Sequence, residues 1–125
     1  MKKIKTYEDA CKALNINPDI LPDVSAMPEK HRKALTAHYK LITITEALNE
    51  GWTPNWNDSS EYKYQPLFEI EATKEKPSGV GFSRSRFDYW CAYAYCGSRL
   101  CFKSRELVLY AIEQFKELYI EYYLM

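Results

Sequence analysis

A chain of 125 residues is long enough for one domain with its own core, and 46% hydrophobic residues with only 4 Gly and 6 Pro exclude global disorder. Its 17 basic side chains balance 17 acidic ones, so no overall field draws the molecule to nucleic acid or an anionic membrane, and either partner would need a local patch. No stretch offers the roughly 20 apolar residues of a membrane-spanning helix, and Lys2, Lys3 and Lys5 lead into polar Thr6–Asp9 rather than the apolar run of a secretory leader.

The expectation is therefore a cytoplasmic protein, with no membrane partner, folded as a single domain over residues 1–125. Its four cysteines, Cys11, Cys91, Cys96 and Cys101, are then expected as reduced thiols. Four residues separate each of the last three from the next. That spacing lacks the tighter pairs and the nearby His of a zinc site, so no metal and no cofactor are expected.

Thr6-Tyr7-Glu8-Asp9 has the form of a capped helix start, with acids facing the positive end of the helix, and predicts a short helix over Tyr7–Leu14. Asn15, Asn17, Pro18, Pro22 and Asp23 then make a loop. Pro28 suits the start of a second helix, because its missing N–H is one that a helix start leaves unpaired. From Glu29 to Asn49 the apolar residues cover more than one stripe, marking this helix as the central one, and Gly51 is placed to end it. Trp52 and Trp56 sit in turn chemistry and read as lids over the edge of the core.

The period then changes. Over Pro66–Thr73, Phe68, Ile70 and Ala72 alternate with polar neighbours, the pattern of a strand with one buried face. Pro77-Ser78-Gly79 is a turn, Gly81–Tyr95 is β-prone and aromatic, and Arg99–Lys103 reads as a third short strand. Ser104 can cap a last helix running from Arg105 nearly to the end, with Val108, Ile112, Phe115, Tyr119 and Tyr122 on one face. The expected fold is α+β: two N-terminal helices, a three-stranded antiparallel sheet and a C-terminal helix, with the helices on one face of the sheet.

Chemistry is sparse. No Ser, Cys or Thr stands in a nucleophile motif, and no carboxylate pair is spaced for acid–base work. Phe87, Tyr89, Tyr93 and Tyr95 share one parity, so a strand through them would present a tyrosine-rich face. Flanked by Arg84, Arg86, Arg99 and Lys103, that face could serve as a stacking platform for single-stranded nucleic acid. Alternatively, Arg84 and Arg86 pair across the sheet with Glu69 and Glu71 on a solvated face.

The stretch from Gly97-Ser98-Arg99-Leu100-Cys101-Phe102-Lys103-Ser104-Arg105-Glu106-Leu107 through Gln114-Phe115 and Leu118-Tyr119 resembles the C-terminal part of a family of small uncharacterised proteins encoded by phages and prophages of gut bacteria. Ala47-Leu48-Asn49-Glu50-Gly51-Trp52-Thr53-Pro54 and Trp56-Asn57-Asp58 resemble the same group. The resemblance implies a genomic setting rather than a mechanism. With 11 tyrosines and no catalytic constellation, the functional expectation is a non-enzymatic accessory or structural protein that binds another protein. A single-strand nucleic-acid binder is the second reading, and an enzyme with a dispersed site the third.

Overall fold

The computed structural model describes residues 4–125; Lys2 and Lys3 lie outside the described residues. In chain order the elements are α1 (Tyr7–Leu14), α2 (Glu29–Asn49), β1 (Lys63–Glu71), β2 (Gly81–Trp90), α3 (Arg105–Gln114) and α4 (Lys116–Tyr123). The class is α+β. Among the described residues no helix is long and apolar enough to cross a membrane.

The first two helices occupy the ranges that their sequence signals mark. Thr6 and Asp9 form a reciprocal capping box, Asp9 N–H donating to Thr6 Oγ1 at 3.1 Å and Thr6 N–H to Asp9 Oδ2 at 3.2 Å. Pro28 is the N-cap of α2, and Arg32 reaches back from the first turns to donate to the carbonyls of Met27 and Ser25, both at 2.9 Å. Part of the basic run at residues 30–33 is thus spent on fastening its own turn. At the other end Glu50 and Gly51 both take positive φ, 48° and 86°, the left-handed turn that stops a helix.

α2 lies against α1 and α4. Leu41, Ile44, Ala47 and Leu48 from α2 share one core with Ala10 and Cys11 of α1, Phe102, and Val108, Ala111 and Ile112 of α3. His38, on the α4 side, is half-buried and stacks on Tyr122 at 4.5 Å.

Three sequence expectations are corrected here. The sheet has two strands, not three. Arg99–Lys103 contributes a single antiparallel bridge, in which Tyr64 N–H donates to Phe102 O at 3.0 Å and Phe102 N–H to Tyr64 O at 2.8 Å. The next outward-facing position on β1 is Pro66, which has no N–H to offer, so pairing cannot continue towards Leu100. Leu100 instead closes a turn, donating its N–H to Gly97 O.

The C-terminal helix is also not continuous. It breaks at Phe115, whose φ and ψ of −116° and 27° leave the helical region. Phe115 and Tyr119 are both buried, and beyond the break Tyr119 and Tyr123 of α4 pack on Phe68 at 5.3 and 5.1 Å. Phe68 in turn stacks on Phe82 of β2 at 4.0 Å, so rings from α4 reach the face of the hairpin against which α3 packs.

Finally, β2 stops at Trp90 rather than reaching Tyr95. The strands run antiparallel from Lys63↔Trp90 to Glu71↔Gly81, with a bulge at Ser83 between Glu69↔Arg84 and Ile70↔Phe82.

Burial of acids in this core sets an alkaline limit on stability. Burial raises the Cys96 thiol from 9.0 to about 12 and the Cys101 thiol to about 11. It raises the fully buried Tyr119 well above 10.0 and, though 37% of the residue is exposed, shifts Tyr123 upward as well, to about 12. The folded state keeps all four protonated after the unfolded chain has begun to ionise. Their contribution is complete below pH about 9 and is lost as pH rises towards 12. Urea midpoints are expected to be level, as far as these groups are concerned, up to pH about 9 and to fall steadily above it; a midpoint unchanged up to pH about 11 would contradict this account.

Candidate functional site

The most constrained polar constellation surrounds the start of β1. Lys63 is fully buried, and its ammonium has three protein partners: Asp58 O at 3.1 Å, Cys91 O at 3.0 Å and the Glu61 carboxylate at 3.4 Å. The Trp56 ring lies 5.1 Å away on a further side. Glu61 also accepts from Asn55 N–H at 2.7 Å and Trp52 Nε1 at 3.2 Å. The Asn55 amide is the main cause holding its carboxyl below the ordinary range, followed by Lys63 and Trp52. One ammonium and one carboxylate therefore tie together the 52–58 turn, β1 and the chain beyond β2.

Gln65, the next residue on the same face of β1, is fully buried too. Its Oε1 accepts from the amides of Tyr95 at 2.7 Å and Cys96 at 3.0 Å. These two side chains explain why the tyrosine-rich segment leaves the sheet. Lys63 and Gln65 draw residues 91–96 across the face of β1 instead of letting β2 run on. Asn49 does the same for the following segment, donating to Cys101 O at 3.0 Å and accepting from Lys103 N–H at 3.1 Å.

The register places Arg84, Arg86, Phe87 and Tyr89. Tyr64, Pro66 and Phe68 oppose Tyr89, Phe87 and Ser85, so Phe87 and Tyr89 share the helix-side face. Tyr62 and Tyr64 join them, with ring centroids 4.8 to 6.3 Å apart. Arg84 and Arg86 point to the opposite face, across from Glu69 and Leu67. Among the described residues no ion pair joins Arg84 or Arg86 to a carboxylate, and Glu69 accepts from Ser83 Oγ at 2.9 Å instead.

Tyr93 and Tyr95 lie in the loop, edge-on to Trp90 at 5.7 and 6.1 Å. Arg99 stands apart from all of these, at a cavity of about 530 Å³ that it lines with Trp52, Glu46, Asn49 and Ser98. Lys103 is exposed, and its N–H is the one Asn49 holds.

No family model, curated protein or solved structure matches this chain. The site must be judged on its own geometry. The structure brings together the aromatic residues and sets Arg84, Arg86 and Arg99 apart from them. Rings gather at one end of the hairpin, on both of its faces, while Arg84 and Arg86 lie further along β2 and Arg99 lies at the cavity. Sequence reasoning missed Tyr62 and Tyr64, which complete the ring cluster. Their alternation with Lys63 and Gln65 was the available signal, obscured because the buried partners are polar.

Proposed function

We propose that this chain is a non-catalytic protein-binding module, of the accessory or structural kind that phages encode, and that the tyrosine end of the hairpin is its contact surface. The observation that carries the reading is an exposed aromatic cluster on a fastened frame. Tyr62 and Tyr89 are 50% and 48% exposed, and Tyr93 and Tyr95 are each 71% exposed. Large aromatic side chains left in solvent at one place are the usual anchors of protein interfaces.

Lys63 and Gln65 hold this surface from beneath, so little ordering has to accompany binding. A stacking platform for nucleic acid would instead want its cations beside the rings in a basic groove. Here Arg84 and Arg86 occupy the face turned away from Phe87 and Tyr89, and Glu69 lies on β1 opposite Arg84.

The test is panning of a displayed peptide library on the immobilised protein. Clones enriched on the wild type are expected to lose on the order of tenfold in affinity on Tyr62→Ala/Tyr89→Ala or Tyr93→Ala/Tyr95→Ala, with the circular dichroism spectrum unchanged. Enriched clones indifferent to both pairs would remove the tyrosine end as the surface. Saturable binding of labelled single-stranded DNA that collapses with salt would favour nucleic acid instead.

A further inference from the structure

The hairpin has one edge with nothing on it. Tyr64 turns its N–H and C=O outward to Phe102, so its opposite number, Tyr89, directs its own backbone groups away from β1, as do Phe87 and Ser85 in the same alternation. Tyr89 N–H is met by its neighbour, Asp88 Oδ1, at 2.8 Å. The donors and acceptors of Ser85 and Phe87 have no strand beside them among the described residues. An open edge of this kind is a template for another extended chain.

We propose that the β2 edge takes up an extended acidic segment of a partner protein as a third strand. A strand bonded to Ser85 and Phe87 sets its alternate side chains beside Arg84 and Arg86 on one face. Both guanidinium groups lack an ion-pair partner among the described residues, and carboxylates at those positions would supply one. The intervening side chain points to the other face. There a hollow of about 420 Å³ between β2 and α3 is lined by Ser85, Arg86, Phe87, Arg105 and Leu109.

Phe87 and Leu109 give that hollow an apolar floor, and Arg105 lies 5.4 Å over the Phe87 ring, adding a third cation at the rim. The pattern sought is therefore acid, apolar, acid. A second copy of this chain is the wrong occupant, because two β2 edges paired in register would oppose arginines to arginines.

The inference rests on the protein-binding reading and names the partner's chemistry. Its test is the anisotropy of a short labelled peptide alternating glutamate and valine, against a counterpart alternating lysine and valine, each titrated with the full chain. The glutamate peptide is expected to bind saturably, about tenfold tighter than the lysine peptide, with the difference shrinking as salt is added. Arg84→Glu/Arg86→Glu should reverse the preference. Ser85→Pro should abolish binding by removing an outward N–H, and amide exchange at Ser85 and Phe87 should slow in the wild-type complex.

Equal affinity for the two peptides, no binding of either, or binding without that slowing overturns the assignment. Panning reads the tyrosine end separately. Failure of the peptides with the tyrosine dependence intact removes only the edge, whereas loss of both removes the protein-binding reading.

Discussion

Lys63→Met is expected to cost about 3 kcal/mol of folding stability, on the order of 10 °C in Tm. Methionine keeps the buried stem but removes all three donors. Asp58 O and Cys91 O then lose their partner, and Glu61 keeps its charge without the facing ammonium. Breaking one side of a buried pair is costlier than replacing the whole pair, because the remaining group is stranded. The damage should be local as well as global. Amide exchange at Tyr95 and Cys96 should accelerate, and emission from Trp56, which loses its cation neighbour, should change before the cooperative transition. A Tm within about 2 °C of wild type would show that the ammonium does not fasten the 91–96 segment.

Tyr119→Ala is expected to be at least as severe, about 4 kcal/mol, as befits the loss of a fully buried large ring. Its position makes the outcome specific. Tyr119 touches Phe68 of β1 at 5.3 Å, beside the second α4 contact that Tyr123 makes at 5.1 Å, and it supports Tyr123 at 6.4 Å. A two-stranded hairpin is marginal by itself in water. Hydrogen exchange in the variant should therefore show β1 and β2 amides losing protection ahead of those in α1 and α2. Uniform loss across all elements would mean that the hairpin and helices form one cooperative unit that Tyr119 does not divide.

Much of the helical half was legible in the sequence for physical reasons that act locally. Thr6 and Asp9 announce a capping box, Ser104 a cap accepting from Leu107 N–H, and Gly51 a left-handed stop; each signal lies within a few residues of its effect. The errors lie where distant residues decide. Arg99–Lys103 has the composition of a strand, but whether it pairs depends on Pro66, more than thirty positions earlier.

The sheet face shows the same limit. The buried stripe of β1 begins with Lys63 and Gln65, which hydrophobic periodicity counts as solvent-facing. Their burial follows from carbonyls and amides contributed by residues 91–96. The break at Phe115 carried no Gly or Pro to mark it, and Phe115 and Tyr119, four residues apart, would share one face of an unbroken helix as well. Of the site, Tyr89, Tyr93 and Tyr95 were nameable from their spacing, whereas Tyr62 was not. Their separation from the arginines was already implicit in strand parity, since residues 84 and 86 alternate with 87 and 89.

The hydrogen bonds at the two ends of the chain bear on how the molecule is made. Tyr110 Oη donates to Ile4 O and Gln114 Nε2 to Lys5 O, across sequence separations of 106 and 109, so the N-terminal segment is anchored by residues synthesised long after it. While the polypeptide is still on the ribosome, α1 and the apolar sides of α2 have no α3 to close over them. Until α3 has emerged, the core that it shares with α1 and α2 stays open. Ordering then depends on contacts of very high sequence separation, a topology associated with slower collapse to the native state and with a window in which α2 is available to chaperones.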